Sequence, residues 1–120
     1  MAHVTGIGGL FFRADNPEAL AAWYETHLGV GRVPSSPDAR PWQTEAGATV
    51  FAPFAADTEY FPADRQFMIN FRVTNLDGLL AELAAAGIEA TRREEMPGVG
   101  RFARITDPEG NPVELWEPAG

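Results

Sequence analysis

A stretch near the start of the chain returns later at a fixed distance. Phe12-Arg13, followed by Asn16, Glu18 and Leu20, recurs as Phe71-Arg72, followed by Asn75, Asp77 and Leu79, at a constant offset of 59 residues. Two copies of one supersecondary unit account for such spacing. In each copy an apolar, strand-like run leads into an amide or acidic cap and then a helix. Asp15 or Asn16 caps the first helix, Pro17 suits its first position, and Leu20, Ala21, Tyr24 and Leu28 form a stripe that stops at Gly29. Asn75 caps the second, where Leu76, Leu79, Leu80 and Leu83 form the stripe and Gly87 ends it.

Short strands follow each helix. In the first copy they fall near residues 30–33, 42–45 and 49–54, with Gly47 marking a hairpin between the last two. In the second they fall near residues 88–92, 101–106 and 112–117. The order is βαβββ twice, an α+β chain. Module one spans about 1–58, a linker about 53–65, and module two about 66–120, within a single domain. Residues 34–41, 53–64 and 94–100 are rich in Pro, Gly, Ser or acidic groups and read as surface loops. Tyr60 and Phe61, in the loop that joins the modules, are either packing anchors or the rim of a pocket, and packing is the commoner fate of such rings.

Composition removes several classes of function. At 120 residues with 45% hydrophobic content the chain is long enough for a real core. It has no Cys, so disulfides, thiolate zinc sites and cysteine nucleophiles are excluded. A formal charge of −8 repels phosphate backbones, which argues against a nucleic-acid partner while tolerating a cationic ligand. With no apolar run near the roughly 20 residues of a membrane helix and no basic, then apolar, leader pattern, the expected setting is the cytoplasm, away from membrane.

Side-chain alternation defines two faces of the strands. Leu10, Phe12, Val50, Ala52, Phe54, Ile69, Phe71, Val73, Val113 and Leu115 are expected to face the helices. Gly9, Phe11, Arg13, Phe51, Met68, Asn70, Arg72, Glu114 and Trp116 take the other face. In the run Phe102-Ala103-Arg104-Ile105, Arg104 joins this second face. Aromatic walls with a few polar handles are typical of a small-molecule cavity. The expected ligand-binding set is Trp42, Glu45, Phe51, Tyr60, Met68, Asn70, Arg104, Glu114 and Trp116.

The doubled βαβββ pattern, the Asp15-Asn16-Pro17-Glu18 entry to a helix carrying Trp23-Tyr24 and Leu28-Gly29, and the closing run from Asp107-Pro108-Glu109-Gly110-Asn111 to Glu114-Leu115 together resemble the vicinal oxygen chelate superfamily. That superfamily holds glyoxalase I, extradiol dioxygenases and bleomycin-resistance proteins, and the resemblance covers nearly the whole chain. It implies two modules whose curled mixed sheet forms a cup, the glyoxalase-like fold. It also implies a twofold homodimer as the common assembly, in some members with modules exchanged between chains.

In the metalloenzymes of that superfamily, the first and fourth strands of each module supply the ligands. The corresponding positions here are Gly9, Phe51, Met68 and Glu114, and the repeat offset independently pairs Gly9 with Met68. Glu114 alone can ligate, whereas a transition metal wants three or four converging groups. His3 and His27 read as surface residues. No metal and no cofactor are therefore expected. Neutralisation of Glu114 by Arg104 or Arg72 is the expected fate of its charge, since an unpaired buried carboxylate costs several kcal/mol.

Two functions follow. The first is a metal-independent binding protein of the bleomycin-resistance type with a small organic molecule as its partner. The alternative is a glyoxalase-like lyase or isomerase, or a dioxygenase, with a displaced metal or a metal-free acid–base site for which Glu114 and Glu45 are the catalytic candidates. A cup filled by its own side chains, serving as an interaction module, is the third reading.

Overall fold

A computed structural model describes residues 2–120, so only residue 1 of the expected first module lies outside it. Its regular elements are α1 (Pro17–Leu28), β1 (Ile69–Arg72), α2 (Leu76–Ala85), β2 (Arg92–Met96), β3 (Gly100–Thr106) and β4 (Pro112–Pro118). The strands form one open sheet in the order β1-β4-β3-β2, with β1 parallel to β4 and the other neighbours antiparallel. The chain is a mixed α+β protein. From Ile69 to Pro118 the order is β1-α2-β2-β3-β4, that expected of the second module, and the parallel β1–β4 pairing is possible because the intervening helix and hairpin carry the chain back to the same end of the sheet.

Both helices begin as their sequences dictate. The Asn16 side chain accepts from the Ala19 amide at 3.1 Å, Pro17 follows at the first helical turn, and Gly29 closes α1 in the left-handed conformation. Asn75, itself left-handed, caps α2 by accepting from the Gly78 amide at 3.2 Å. Leu20 and Tyr24 of α1 join Leu76, Leu80 and Leu83 of α2 in one core. The sheet meets them with Ala103, Ile105, Val113 and Leu115, all buried, which is the face that alternation assigned to the helices. Phe71 packs on the same core from β1.

The structure departs from the expected strands in two places. The strand expected at 88–92 begins instead at Arg92 and runs to Met96, leaving only residues 97–99 as the turn into β3. β2 is an edge strand and every residue in it is exposed, so it needs no apolar face and its charges guard the open edge. Gly100 makes that turn feasible. A Cβ there would meet the Glu117 carbonyl oxygen at 2.2 Å, and its φ of 140° disfavours other residues.

The first module is represented by its helix. The segments around residues 10–12, 30–33, 42–45 and 49–54 form no strand among the described residues. Their side chains are correspondingly open, with Phe11 at 94%, Phe51 at 83% and Val33 at 89% exposure. A strand holds its shape by ladder bonds to a neighbour, and these Gly- and Pro-interrupted segments have none among the described residues.

Candidate functional site

Glu114 sits in the middle of β4, a strand flanked on both sides by neighbours, and is 8% exposed. Its side chain leaves the sheet on the face opposite the core. Directly opposite it in register stand Asn70 on β1 and Arg104 on β3, and Arg92 on β2 stands opposite Arg104. A row of four polar residues therefore crosses the sheet. All four come from one pleat row, which is why alternation alone could group three of them.

The linker completes the site. Tyr60 lies over this row and its hydroxyl donates to Glu114 Oε2, while the Asn70 amide donates to Glu114 Oε1 at 2.7 Å. Both carboxylate oxygens are thus engaged by neutral donors. Arg104 does not form the expected ion pair with Glu114. Its Nη2 donates to the Tyr60 carbonyl at 2.7 Å, because the tyrosine is wedged between the two and engages each separately. Arg72 is also elsewhere, with Nη2 donating to the Glu45 carbonyl at 2.9 Å. Gly47 leaves room for that guanidinium, since a Cβ there would lie 1.9 Å from Arg72 Nη1.

Two cations face the Tyr60 ring. The Arg92 and Arg104 guanidinium carbons lie 4.7 Å and 5.2 Å from its centroid, a cation–π arrangement that also brings Arg92 Nη1 to the Tyr60 carbonyl at 3.3 Å. Arg92 is held in turn by Glu94, Nε to Oε1 at 2.9 Å. Burial pushes the Tyr60 phenol up to about 12, helped by its hydrogen bond to Glu114 and that carboxylate's charge, because both disfavour a phenolate. The phenol therefore stays a donor at any physiological pH. Beside it opens a cleft of about 590 Å³ between the linker backbone at 56–63 and the side chains of Arg92 and Arg104.

Of the residues expected to bind a ligand, Tyr60, Asn70, Arg104 and Glu114 meet directly. Trp116 lies one pleat along on the same face, with its ring parallel to that of Phe102 at a centroid distance of 6.1 Å. Met68 is half-buried just before β1. Trp42 instead packs edge-on to Phe71, the residue whose ring belongs to the helix side. Phe51 is exposed to solvent, and Glu45 contributes its carbonyl to Arg72. The Glu45 carbonyl meets Arg72 while the Glu114 carboxylate meets Tyr60 and Asn70, so the two expected acid–base candidates are held by different groups. Phe61 is half-buried and packs against Phe54, their centroids 5.7 Å apart.

Arg92, Glu94 and Phe102 escaped the sequence reading. A strand over 88–92 ends at Arg92 and leaves Glu94 in a loop, which hides the register that sets Arg92 beside Arg104. The unbroken run of charged residues Arg92-Arg93-Glu94-Glu95, with no apolar position in it, is the signal for an exposed edge strand.

The rest of the closing motif is architectural. Asp107, 4% exposed, accepts from the Glu109 and Asn111 amides through Oδ1 and from Tyr24 Oη and Asn111 Nδ2 through Oδ2. Glu109 reaches back to the start of α1, accepting from the Asp15 and Asn16 amides at 2.7 and 2.9 Å. Glu117 does the same for α2 at the Leu76 amide. Carboxylates at helix N-termini satisfy orphan donors and meet the positive end of the dipole.

A metal does not fit this donor set. The four positions where the superfamily's metalloenzymes carry ligands hold one oxygen donor, Glu114, and its oxygens already accept from Tyr60 and Asn70. Among the described residues no three His, Cys, Asp or Glu side chains gather in a way that could hold an ion. No helix there is long and apolar enough to cross a membrane.

A family model described as a glyoxalase-like domain matches residues 9–116. Among solved structures, TnmS3, an antibiotic binding protein from Streptomyces sp. CB03234, is similar over 98% of this chain and 100% of its own, at 21% identity and a TM-score of 0.61. Lactoylglutathione lyase from Agrobacterium tumefaciens is similar over 95% of this chain and 94% of its own, at 21% identity and a TM-score of 0.62. A glyoxalase family protein from Enterococcus faecalis is 28% identical with a TM-score of 0.42 over 53% of this chain, which spans about half, 52%, of that protein. No curated protein matches.

Proposed function

The chain belongs to the glyoxalase-like domain family, and within it we propose a metal-independent binding protein of the bleomycin-resistance type that holds a small organic molecule around Glu114. One observation carries this reading. Glu114 stands at a position where the superfamily's metalloenzymes carry a ligand, yet both its oxygens are occupied by uncharged donors and the companion positions are Gly9, Phe51 and Met68. Such a carboxylate works as a hydrogen-bond acceptor for a ligand. Fold by itself does not choose between binding and catalysis, since an antibiotic binding protein and a lyase share it.

Metal-free acid–base chemistry is the second reading, favoured by the direct contact of the Tyr60 phenol with Glu114. It ranks lower because a phenol raised to about 12 is far from the pKa near neutrality that proton transfer favours.

We further propose that the protein works in the cytoplasm as a homodimer. Its accessible area is 9045 Å². A compact monomer of this mass exposes roughly 6,300 Å², leaving an excess on the order of 2,700 Å². Over two chains that excess comes to roughly 5,400 Å², the scale of the largest obligate dimer interfaces, and among the described residues Phe11, Val4, Val33 and Phe51 are the most exposed large apolar side chains.

Elemental analysis and a thermal-shift screen together test the binding role. The expected result is metal-free protein that is stabilised by members of an aromatic and amphipathic compound library. One divalent ion per chain, lost on Glu114→Ala, would overturn it.

A further inference from the structure

The receptor and the occupant on the outer face of the sheet come from parts of the chain with very different anchorage. Glu114 and Arg104 lie on adjacent strands, β4 and β3, inside the sheet, with neighbours on both sides. Tyr60 comes from the linker, in a stretch of turns without ladder bonds. Apart from the Phe54 ring packed against it at a centroid distance of 5.7 Å, the groups that hold its side chain read only features common to any phenol. The hydroxyl is read by Glu114, whose other oxygen Asn70 fixes, and the ring is faced by the Arg92 and Arg104 guanidinium groups.

The resident phenol also leaves the site incompletely satisfied. Arg104 Nε is buried and makes no hydrogen bond. A buried donor without a partner is uncommon in native proteins and points to a group the site is built to meet. The cleft beside Tyr60 opens onto Arg92 and Arg104, so a larger molecule has a route to this point.

Resting on the binding role proposed above, the geometry points to a hydroxyaryl ligand whose phenol takes the place of Tyr60 on Glu114, with Tyr60 serving as an internal stand-in while the site is free. The ligand donates its hydroxyl to Glu114, lays its ring against Arg92 and Arg104, and offers any neighbouring acceptor to Arg104 Nε. Tyr60 is thereby a specificity residue, because only a ligand that reproduces its hydrogen bond recovers what its departure gives up. Aryl compounds lacking the hydroxyl leave Oε2 of the buried carboxylate without a donor, although Asn70 still serves Oε1, and that loss is penalised.

Isothermal titration calorimetry with 2-naphthol and 2-methoxynaphthalene tests this on the full chain, using wild type, Tyr60→Ala, Tyr60→Phe and Tyr60→Ala/Glu114→Met. Removing the internal competitor should tighten 2-naphthol binding at least tenfold in Tyr60→Ala. Tyr60→Phe, which keeps the ring packing and loses the hydroxyl, should tighten it more modestly. Within Tyr60→Ala, 2-naphthol should bind at least tenfold more tightly than its methyl ether, and Glu114→Met should erase that preference. If the two compounds bind equally to Tyr60→Ala, or 2-naphthol binds no better to either Tyr60 variant than to wild type, the hydroxyaryl assignment is overturned while the binding role stands. If folded wild type and Tyr60→Phe bind no aryl compound at all, the binding role falls with it.

Discussion

The hydroxyl of Tyr24, midway along α1, donates to Asp107 Oδ2 at 2.7 Å across 83 residues of sequence. That bond joins the helix of the first module to the β3–β4 turn of the second. Tyr24 Oη is one of four donors that Asp107 gathers. Burial, followed by the hydrogen bond and charge of Asp107, pushes the Tyr24 phenol far above its ordinary value.

Tyr24→Phe removes this donor and leaves a buried carboxylate oxygen short of a partner. The expected loss is about 1–3 kcal/mol of stability. Urea denaturation should show a lower midpoint at an unchanged slope, the mark of a stability change without a change in what unfolds.

Glu109 holds the first turn of α1 from the same loop. Glu109→Ala frees the Asp15 and Asn16 amides and should cost about 1 kcal/mol, the usual scale for a lost helix N-terminal acceptor. Hydrogen exchange would register it as faster exchange over residues 15–20, with β3 and β4 unaffected.

High pH should unfold the protein through its tyrosines. The chain has two, both with folded-state values above the ordinary 10, and Tyr60 sits at about 12. A phenol raised on folding binds its proton more tightly in the native state. Its contribution is therefore complete below pH 10 and is lost as pH climbs from 10 through 12. With no Lys and no Cys in the chain, little else titrates there. Tyrosinate absorbance near 295 nm should rise together with the loss of circular dichroism; a tyrosinate signal that completes near pH 10 in folded protein would contradict the expectation.

Asn70→Asp places a second carboxylate against Glu114 Oε1 in place of an amide donor. Two acids sharing one site cannot both ionise without penalty, so one of them takes up a proton well above the usual carboxylate range. The variant should lose roughly 1–3 kcal/mol at pH 7 and recover much of it near pH 4, where a shared proton restores a hydrogen bond. Equal destabilisation at both values would speak against the contact.

If the proposed homodimer forms, light scattering finds twice the chain mass at micromolar concentration. Phe11, 94% exposed, is the most open large apolar side chain among the described residues. Phe11→Glu should weaken association at least tenfold, since a charge at a desolvated contact is strongly unfavourable. A wild-type chain that stays monomeric throughout would refute the homodimer.

The sequence by itself determined everything that local chemistry and alternation control. Asn16 and Asn75 as caps, Gly29 as a helix stop, and the split of Val113 and Leu115 from Glu114 all follow from rules that reach only a few residues along the chain. The grouping of Asn70, Arg104 and Glu114 was legible for the same reason. What only the tertiary structure decided depends on contacts between distant residues. Tyr60 reaches Glu114 over 54 positions and enters from an irregular linker that has no period to read, so it displaced an ion pair that strand register alone favoured. The strands of the first module turned on partners too. Caps and stripes sufficed to form α1, whereas a strand acquires its hydrogen bonds from a neighbour, and no local pattern states which neighbour that will be.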